Sequence, residues 1–374
     1  MLLIKLQKKL LRFYKQYKTS KWLQSFLLFL SFFYLMGYRL RLFLYRINFL
    51  RTYSLPVFVI SIGNLSLGGT GKTQVAIELS KFLHKNGIKV GILSRGYKRK
   101  GSNIPVHENI LVSDGEEILT DWDVSGDEPY LIAKDSPKSI VLSGSNRVKA
   151  AQSAIKLGAQ VVILDDGYQY LKLKRDINIL MIDSTKELEN EKLFPSGELR
   201  ELPDSLNRAN TIILTNSYDS QNTDNYLSKL KKYISHDFNL ISMKYKVKEI
   251  KGINLVKKLT IENARKLKFI AFSGIGNPES FTQTLKSDCL QIAEHVVFHD
   301  HNEYSSDDIS QLIQLALKNG IEDIITTEKD AIKISGFCES APVTFWTCII
   351  SPEWSVQEPF QSILDMEKIK ALDS

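Results

Sequence analysis

The residues best suited to chemistry lie in a short glycine-rich run, SLGGTGKT at 66–73. Gly68, Gly69 and Gly71 let backbone N–H groups curl around an anion without Cβ clashes, at the positive end of a following helix. Lys72 is expected to reach the β- and γ-phosphates of a nucleoside triphosphate, and Thr73 to set its hydroxyl on Mg²⁺. Ser66, Leu67 and Thr70 complete this candidate nucleotide-binding loop, with Ser66 standing where the usual pattern opens on Gly. A second run, VVILDDGYQY at 161–170, ends an apolar strand in Asp165 and Asp166. A buried strand that delivers an acid beside a phosphate loop is the arrangement that holds Mg²⁺, and either carboxylate fits the role. Between the two, SGDEPYLIAK at 125–134 puts Asp127 and Glu128 at a loop-to-helix junction, with Pro129 suited to the first helical turn. From local sequence alone Asp127 reads as a helix cap.

These residues need elements to hold them. The nearly continuous apolar run after Pro56 predicts a buried parallel strand, and QVAIELSKFLHK after Thr73 has helical apolar spacing. Further strands are expected near 88–94, 139–142, 161–166, 177–183 and 211–216, with helices between them. The expected fold is α/β, with a mostly parallel sheet of the P-loop NTPase kind covered on both faces. Strands near 268–272, 294–298 and 323–327 suggest a smaller α/β unit, reached through the polar stretch SYDSQNTDN at 217–225 as linker or loop. The expected organisation is a basic apolar segment over 1–52, a kinase-like domain over 53–216 and a smaller domain over 217–374 that closes the cleft.

The chain of 374 residues carries a net charge of +7, which invites a nucleic-acid reading. Its distribution argues against one: residues 1–51 hold eleven Lys/Arg and no Asp/Glu, leaving 38 basic against 42 acidic residues in the rest. The basic residues flank an apolar run, Trp22 to Tyr38, that contains no charge. It is about 17 residues long where a spanning helix needs roughly 20, so a short span fits and an interfacial or shallowly inserted helix fits at least as well, with Lys21 and Arg39, Arg41 and Arg46 meeting anionic headgroups. Upstream, Leu2, Leu3, Leu6, Leu10 and Leu11 interleave with Lys5, Lys8, Lys9 and Arg12 as in an amphipathic surface helix. The segment lacks the small-residue cleavage site of a signal peptide. Cys289, Cys338 and Cys348 show no metal-ligand or redox spacing and read as reduced core residues of a protein that faces the cytoplasmic ATP pool.

Several segments together resemble the lipid A 4′-kinase (tetraacyldisaccharide 4′-kinase) family. They are GNLSLGGTGKT, LSRGYKRKG (93–101), GDEPYLIAK, the SNR ending at Arg147, DDGYQYLKLKRDINILMID (165–183), LFPSGELRE (193–201), FSGIGNPESF (272–281), FHDHNEY (298–304) and TTEKDAIK (326–333). They occur in the family's order, and the family itself has Thr or Ser at the position of Ser66. It usually has His at the position of Tyr170, so no role of that His transfers.

The resemblance implies phosphoryl transfer from ATP, with Mg²⁺, to the 4′-hydroxyl of a tetraacylated glucosamine disaccharide 1-phosphate at the cytoplasmic face of the inner membrane. The lipid substrate and the membrane surface are the implied partners, with no nucleic acid. It also pairs Asp127, as acceptor of the sugar proton, with His301, and puts Arg147 and Arg200 near the phosphates.

A membrane-associated P-loop GTPase or targeting factor is the main rival. It requires a guanine-reading NKxD, which neither TEKD at 327–330 nor LTNS at 214–217 supplies. A dinucleotide fold built on GIGNPES at 274–280 lacks its third glycine.

Overall fold

Runs of β-branched residues and leucine bury both faces of a strand, and five such runs form the centre of the sheet in the computed structural model. It describes residues 21–96, 108–188, 191–217, 220–338 and 341–371. In chain order the strands are β1 (Phe58–Asn64), β2 (Val90–Ser94), β3 (Ile110–Asp114), β4 (Ile140–Ser143), β5 (Val161–Asp165), β6 (Ile177–Asp183) and β7 (Thr211–Thr215). They continue as β8 (Asn239–Gly252), β9 (Lys258–Leu259), β10 (Lys268–Ser273), β11 (Gln291–Val297), β12 (Asp323–Thr327) and β13 (Thr344–Trp354). The sheet runs β11-β10-β12-β13-β8-β7-β6-β1-β5-β2-β4-β3, with β9 added on β8. Pairing is parallel except for β3 with β4, β8 with β13 and β8 with β9.

Alternation along β1 decides what covers each face. Phe58, Ile60 and Ile62 pack under the helix Lys72–Lys85 through Val75, Ile77 and Leu79. Val59 faces the other way, onto Ala150, Ala151 and Ala154 of the helix Arg147–Lys156. Small residues on that helix let it lie close to the strands.

The structure departs from the sequence expectation in four places. The stretch expected as a linker, 217–225, enters a helix, Ser220–Leu230, because Tyr226 and Leu230 supply a buried stripe among its polar residues. One continuous sheet crosses that point, since β8 pairs parallel with β7 and antiparallel with β13. The strands β3, β8, β9 and β13 were not anticipated; β8 interleaves Lys246 and Lys248 with Tyr245, Val247 and Ile250, so no continuous apolar run marks it. Cys289 is exposed, whereas Cys348 is buried and Cys338 half-buried, because Cys289 sits in the turn after the helix Pro278–Ser287 with φ of 62°. The segment after β13 folds back, and Phe360, Ile363, Leu364 and Ile369 join the core around the helix Lys72–Lys85.

At the other end of the chain, Lys21–Arg46 forms a 26-residue helix. At 1.5 Å per residue such a helix is about 39 Å long. One face is tied down: Ser31 Oγ donates to the Leu193 carbonyl at 3.1 Å, Tyr34 Oη to the Arg200 carbonyl at 2.8 Å and Tyr38 Oη to Glu201 Oε2 at 3.0 Å. The rest presents Trp22, Phe26, Phe29, Phe32, Phe33, Met36, Leu40 and Phe43 to solvent, Trp22 at 89% exposure. This is no buried core helix. The amphipathic run at 2–15 and residues 97–101 of LSRGYKRKG lie outside the described residues.

Candidate active site

The carboxyl ends of β1, β5, β6 and β7 open into a cleft of about 1030 Å³, closed from above by the loops after β10, β11 and β12. Leu67 to Thr73 line it. Gly71 caps the following helix at φ 78°, and a Cβ there would stand 1.7 Å from Tyr245 Oη, which donates to the Gly71 carbonyl at 3.0 Å. Only glycine accepts both the left-handed backbone and the tyrosine beneath the loop. On the loop's other flank, Leu67 N donates to the Glu198 carbonyl and Arg200 N to the Leu65 carbonyl, both at 2.7 Å. Ser66 forms a bridge with Leu199 in the same bracing. Gly276 covers the loop so closely that a Cβ would come within 2.9 Å of Gly69 N.

Asp165 and Asp166 take different surroundings. Asp165, 2% exposed, accepts from Thr73 Oγ1 at 3.3 Å and Ser94 Oγ at 3.5 Å through Oδ2, while its buried Oδ1 has no hydrogen-bond partner. Burial, then the charges of Glu128 and Asp166, push this carboxyl up to about 7. An orphaned buried carboxylate oxygen beside two hydroxyls is an all-oxygen donor set that fits Mg²⁺. Asp166, at φ 51°, turns elsewhere: Arg200 Nη1 donates to its carboxylate at 2.8 and 2.9 Å, and Lys72 Nζ stands 3.4 Å away. Burial alone would raise Asp166, but Lys72 and Arg200 outweigh it and hold the carboxyl well below the usual range. Arg147, 3% exposed, donates to the Asp165 and Asp166 carbonyls at 2.6 and 2.9 Å, and its guanidinium lies 5.5 Å from the centre of the Tyr170 ring. Lys72, Arg147 and Arg200 thus gather around Asp166.

The other carboxylate pair comes from the helix Asp127–Asp135. Gly126 caps this helix, so Asp127 is not spent as a cap. Its carboxylate accepts from His301 Nδ1 at 2.8 and 3.0 Å and pairs with Lys333 Nζ at 2.9 Å, the last as an ion pair without hydrogen-bond geometry. Burial would raise Asp127, yet the His301 hydrogen bond and the charges of Lys329 and Lys333 prevail and keep it well below the ordinary carboxylate value. Because a carboxylate only accepts, Nδ1 carries the proton, and Nε2 lies 3.9 Å from Asp300 Oδ1. His301 lines the cleft; Asp127 stands behind it, 5% exposed. Beside them Lys329 Nζ contacts Glu128 Oε1 at 2.7 Å.

Lys72, Thr73, Arg147, Asp165, Asp166, Arg200 and His301 therefore meet in one cleft, while Ser66 and Asp127 support its wall from behind. Sequence reasoning overlooked Lys329, Lys333 and Glu128 as members of the site. The signal was present in TTEKDAIK, where Lys329 and Lys333 are four apart at the start of the helix Glu328–Ile334 and so share a face. Tyr245 carried no such signal, because its role depends on β8 lying two strands from β6 in a sheet order the sequence does not show.

A family model described as tetraacyldisaccharide-1-P 4′-kinase matches residues 23–368. The tetraacyldisaccharide 4′-kinase of Desulfotalea psychrophila is 34% identical over 307 residues, covering 82% of this chain and 86% of its own. That of Syntrophus aciditrophicus is 37% identical over 352 residues, covering 90% of this chain and 91% of its own. A crystal structure described as the "apo" form of LpxK from Aquifex aeolicus in complex with ATP is similar with a TM-score of 0.69 at 30% identity, covering 93% of this chain and 99% of that one.

Proposed function

This chain belongs to the tetraacyldisaccharide-1-P 4′-kinase family, and we propose from that premise that it transfers the γ-phosphoryl group of ATP to the 4′-hydroxyl of a tetraacyldisaccharide 1-phosphate, giving lipid IVA. The observation that carries the reading is the meeting, in one cleft, of the loop Leu67–Thr73, the Asp165 carboxylate and the His301–Asp127 pair, which come from sequence segments far apart.

Backbone N–H groups of the loop cradle the phosphates, and Lys72 draws negative charge toward the transferred group. Thr73 and Asp165 would hold Mg²⁺, which when bound neutralises charge across the β- and γ-phosphate oxygens. Asp166 keeps Lys72 and Arg200 together, so two cations converge where charge develops, and Arg147 adds a third from the floor of the cleft. The His301–Asp127 pair accepts the proton of the sugar hydroxyl, with His301 as its cleft-facing member. Asp127, kept ionised by Lys333 and Lys329, fixes the ring tautomer and stabilises the imidazolium that forms.

The lipid acceptor stays in a bilayer, and the helix Lys21–Arg46 accounts for how it is met. We propose that this helix lies at the cytoplasmic face of the bacterial inner membrane, with its exposed aromatic face in the acyl region and its tied face, carrying Tyr34 and Arg41, on the cleft wall. In this arrangement residues 53–216 supply the nucleotide loop and metal-binding acid, and residues 217–374 the histidine that closes over them.

The test is direct: purified full-length protein, Mg-ATP and the tetraacyldisaccharide 1-phosphate in mixed micelles, with products resolved by mass spectrometry. A bisphosphorylated lipid carrying the new phosphate at the 4′ position is expected. Hydrolysis of ATP without any lipid product across several detergents would remove the assignment.

A further inference from the structure

We propose that Asp330 is the positioning residue of the His301–Asp127 pair: its buried carboxylate ties together the three loops that set the imidazole against the nucleotide loop. The inference rests on the reading above that this pair takes the proton of the acceptor hydroxyl, and it names what holds the pair in place.

Sheet order brings the pieces together. β11, β10 and β12 are parallel neighbours, so the loops that leave their carboxyl ends start side by side, about 5 Å apart. The loop after β10 carries Gly274 and Gly276, and the loop after β11 carries His301 and Tyr304. β12 runs directly into the helix Glu328–Ile334, which holds Lys329 and Lys333. Asp330 lies in the first turn of that helix and is fully buried. Its Oδ2 accepts from Gly274 N at 3.0 Å and Thr327 Oγ1 at 2.7 Å, and its Oδ1 from Tyr304 Oη at 2.8 Å. Burial, then the Asp330 charge, push the Tyr304 phenol well up, so it stays a donor.

A helix cap needs only the contact within its own first turn, where Asp330 N donates to Thr327 Oγ1 at 3.2 Å. The Gly274 and Tyr304 contacts reach outward instead, and both lead to His301. Gly274 passes the constraint on through its carbonyl, which accepts from His301 N at 2.9 Å. It is pressed against the same loop, since a Cβ there would stand 2.9 Å from Tyr304 Oη and 3.0 Å from the His299 carbonyl oxygen. His301 itself has φ of 55°, a left-handed backbone that a residue other than glycine keeps only where its surroundings over-determine it. Two residues beyond Gly274, Gly276 packs on Gly69 of the phosphate loop, and from the Asp330 helix Lys333 reaches Asp127. One carboxylate thus holds the imidazole, the cation beside its partner and the cover of the phosphate loop in a single frame.

Asp330→Asn keeps the side chain's size. Its one oxygen still serves Gly274 and Thr327, but its NH₂ faces Tyr304 and takes away that hydroxyl's acceptor. In assays of the full-length protein with Mg-ATP and the tetraacyldisaccharide 1-phosphate in mixed micelles, kcat should fall on the order of 10- to 100-fold, with both KM values within about twofold of wild type. The His301→Ala background separates positioning from general support: there Asp330→Asn should cost less than about twofold, since no imidazole is left to hold. An equal fall in both backgrounds, or none in either, would overturn the proposal. Tyr304→Phe, with about a three- to tenfold loss that also vanishes in His301→Ala, carries the test if Asp330→Asn does not fold. A readout apart from turnover is the Nδ1 proton of His301, assigned by its loss in His301→Ala and followed by proton NMR. Asp330→Asn should speed its exchange with water on the order of tenfold, and an unchanged rate would sink the positioning role. Faster exchange in a protein that phosphorylates no lipid leaves that role standing and removes the acceptor assignment instead.

Discussion

Asp127 illustrates how a single carboxylate acquires a role from what surrounds it. Alone at a helix start it is an ordinary acid; with His301 on one side and Lys333 on the other it is locked in its charged form. Asp127→Asn preserves shape but removes the charge that fixes the imidazole tautomer, so kcat should fall by about 10²- to 10⁴-fold, with ATP affinity nearly unchanged in equilibrium binding. Turnover within a few-fold of wild type would take the pair out of proton transfer. Glu328 offers a second residue-scale test. Burial, reinforced by Asp135, pushes its carboxyl up to about 8 from an ordinary value of 4.5, against opposition from Lys134, Lys251 and Lys81. Between those two values the folded state binds a proton that the unfolded chain releases, so this group makes stability fall as pH rises through the window and level off above about 8. Glu328→Gln should flatten that slope in urea unfolding at pH 6 and 8.5, whereas superimposable pH profiles would show that the group titrates normally.

At the scale of elements, the segment 193–201 links the N-terminal helix to the phosphate loop. It braces the loop through Leu67 N and Arg200 N, delivers Arg200 to Asp166, and receives Ser31, Tyr34 and Tyr38 from the helix. Glu201, 2% exposed, joins Tyr38 to Arg208, whose guanidinium lies over the Tyr168 ring. Tyr38→Phe removes one hydrogen bond from this join, worth about 1 kcal/mol, and should lower kcat two- to tenfold by loosening Arg200 while vesicle sedimentation stays at the wild-type level. An unaltered kcat would mean that the helix anchors the protein without steadying the site. The LFPSGELRE run is legible in the sequence but its two-sided contact is not, because the helix that touches it lies 162 residues upstream in the chain.

The whole molecule is organised by β8, a long strand that pairs with β7 on one edge and β13 on the other and so carries one sheet from the nucleotide loop to the elements that hold His301. The returning C-terminal segment fastens the same core. The helix Lys21–Arg46 is the exception, exposing a continuous aromatic face while its tied side forms part of the cleft. Deleting residues 1–46 should therefore have two effects: loss of sedimentation with anionic phospholipid vesicles, and a several-fold fall in kcat on detergent-dispersed substrate, where membrane capture no longer matters. Full activity in detergent would confine the helix to anchoring.

The phosphate loop, the acid-ended strand, the parallel α/β character and the charge asymmetry of the N-terminus were all legible in the chain itself, because each is written in runs of residues that follow one another along it. Apolar runs decide buried strands, glycines decide a cradle, and contiguous aromatic residues flanked by basic ones decide an apolar helix that carries its charge at its ends. What the tertiary structure decided is every relation between distant segments. It assigned Asp165 to the hydroxyls and Asp166 to the cations, set His301 rather than its expected partner Asp127 at the cleft surface, and brought Lys329, Lys333 and Tyr245 into the site. Those roles come from strand order and burial, which set the distance and dielectric between charges and have no counterpart in local sequence.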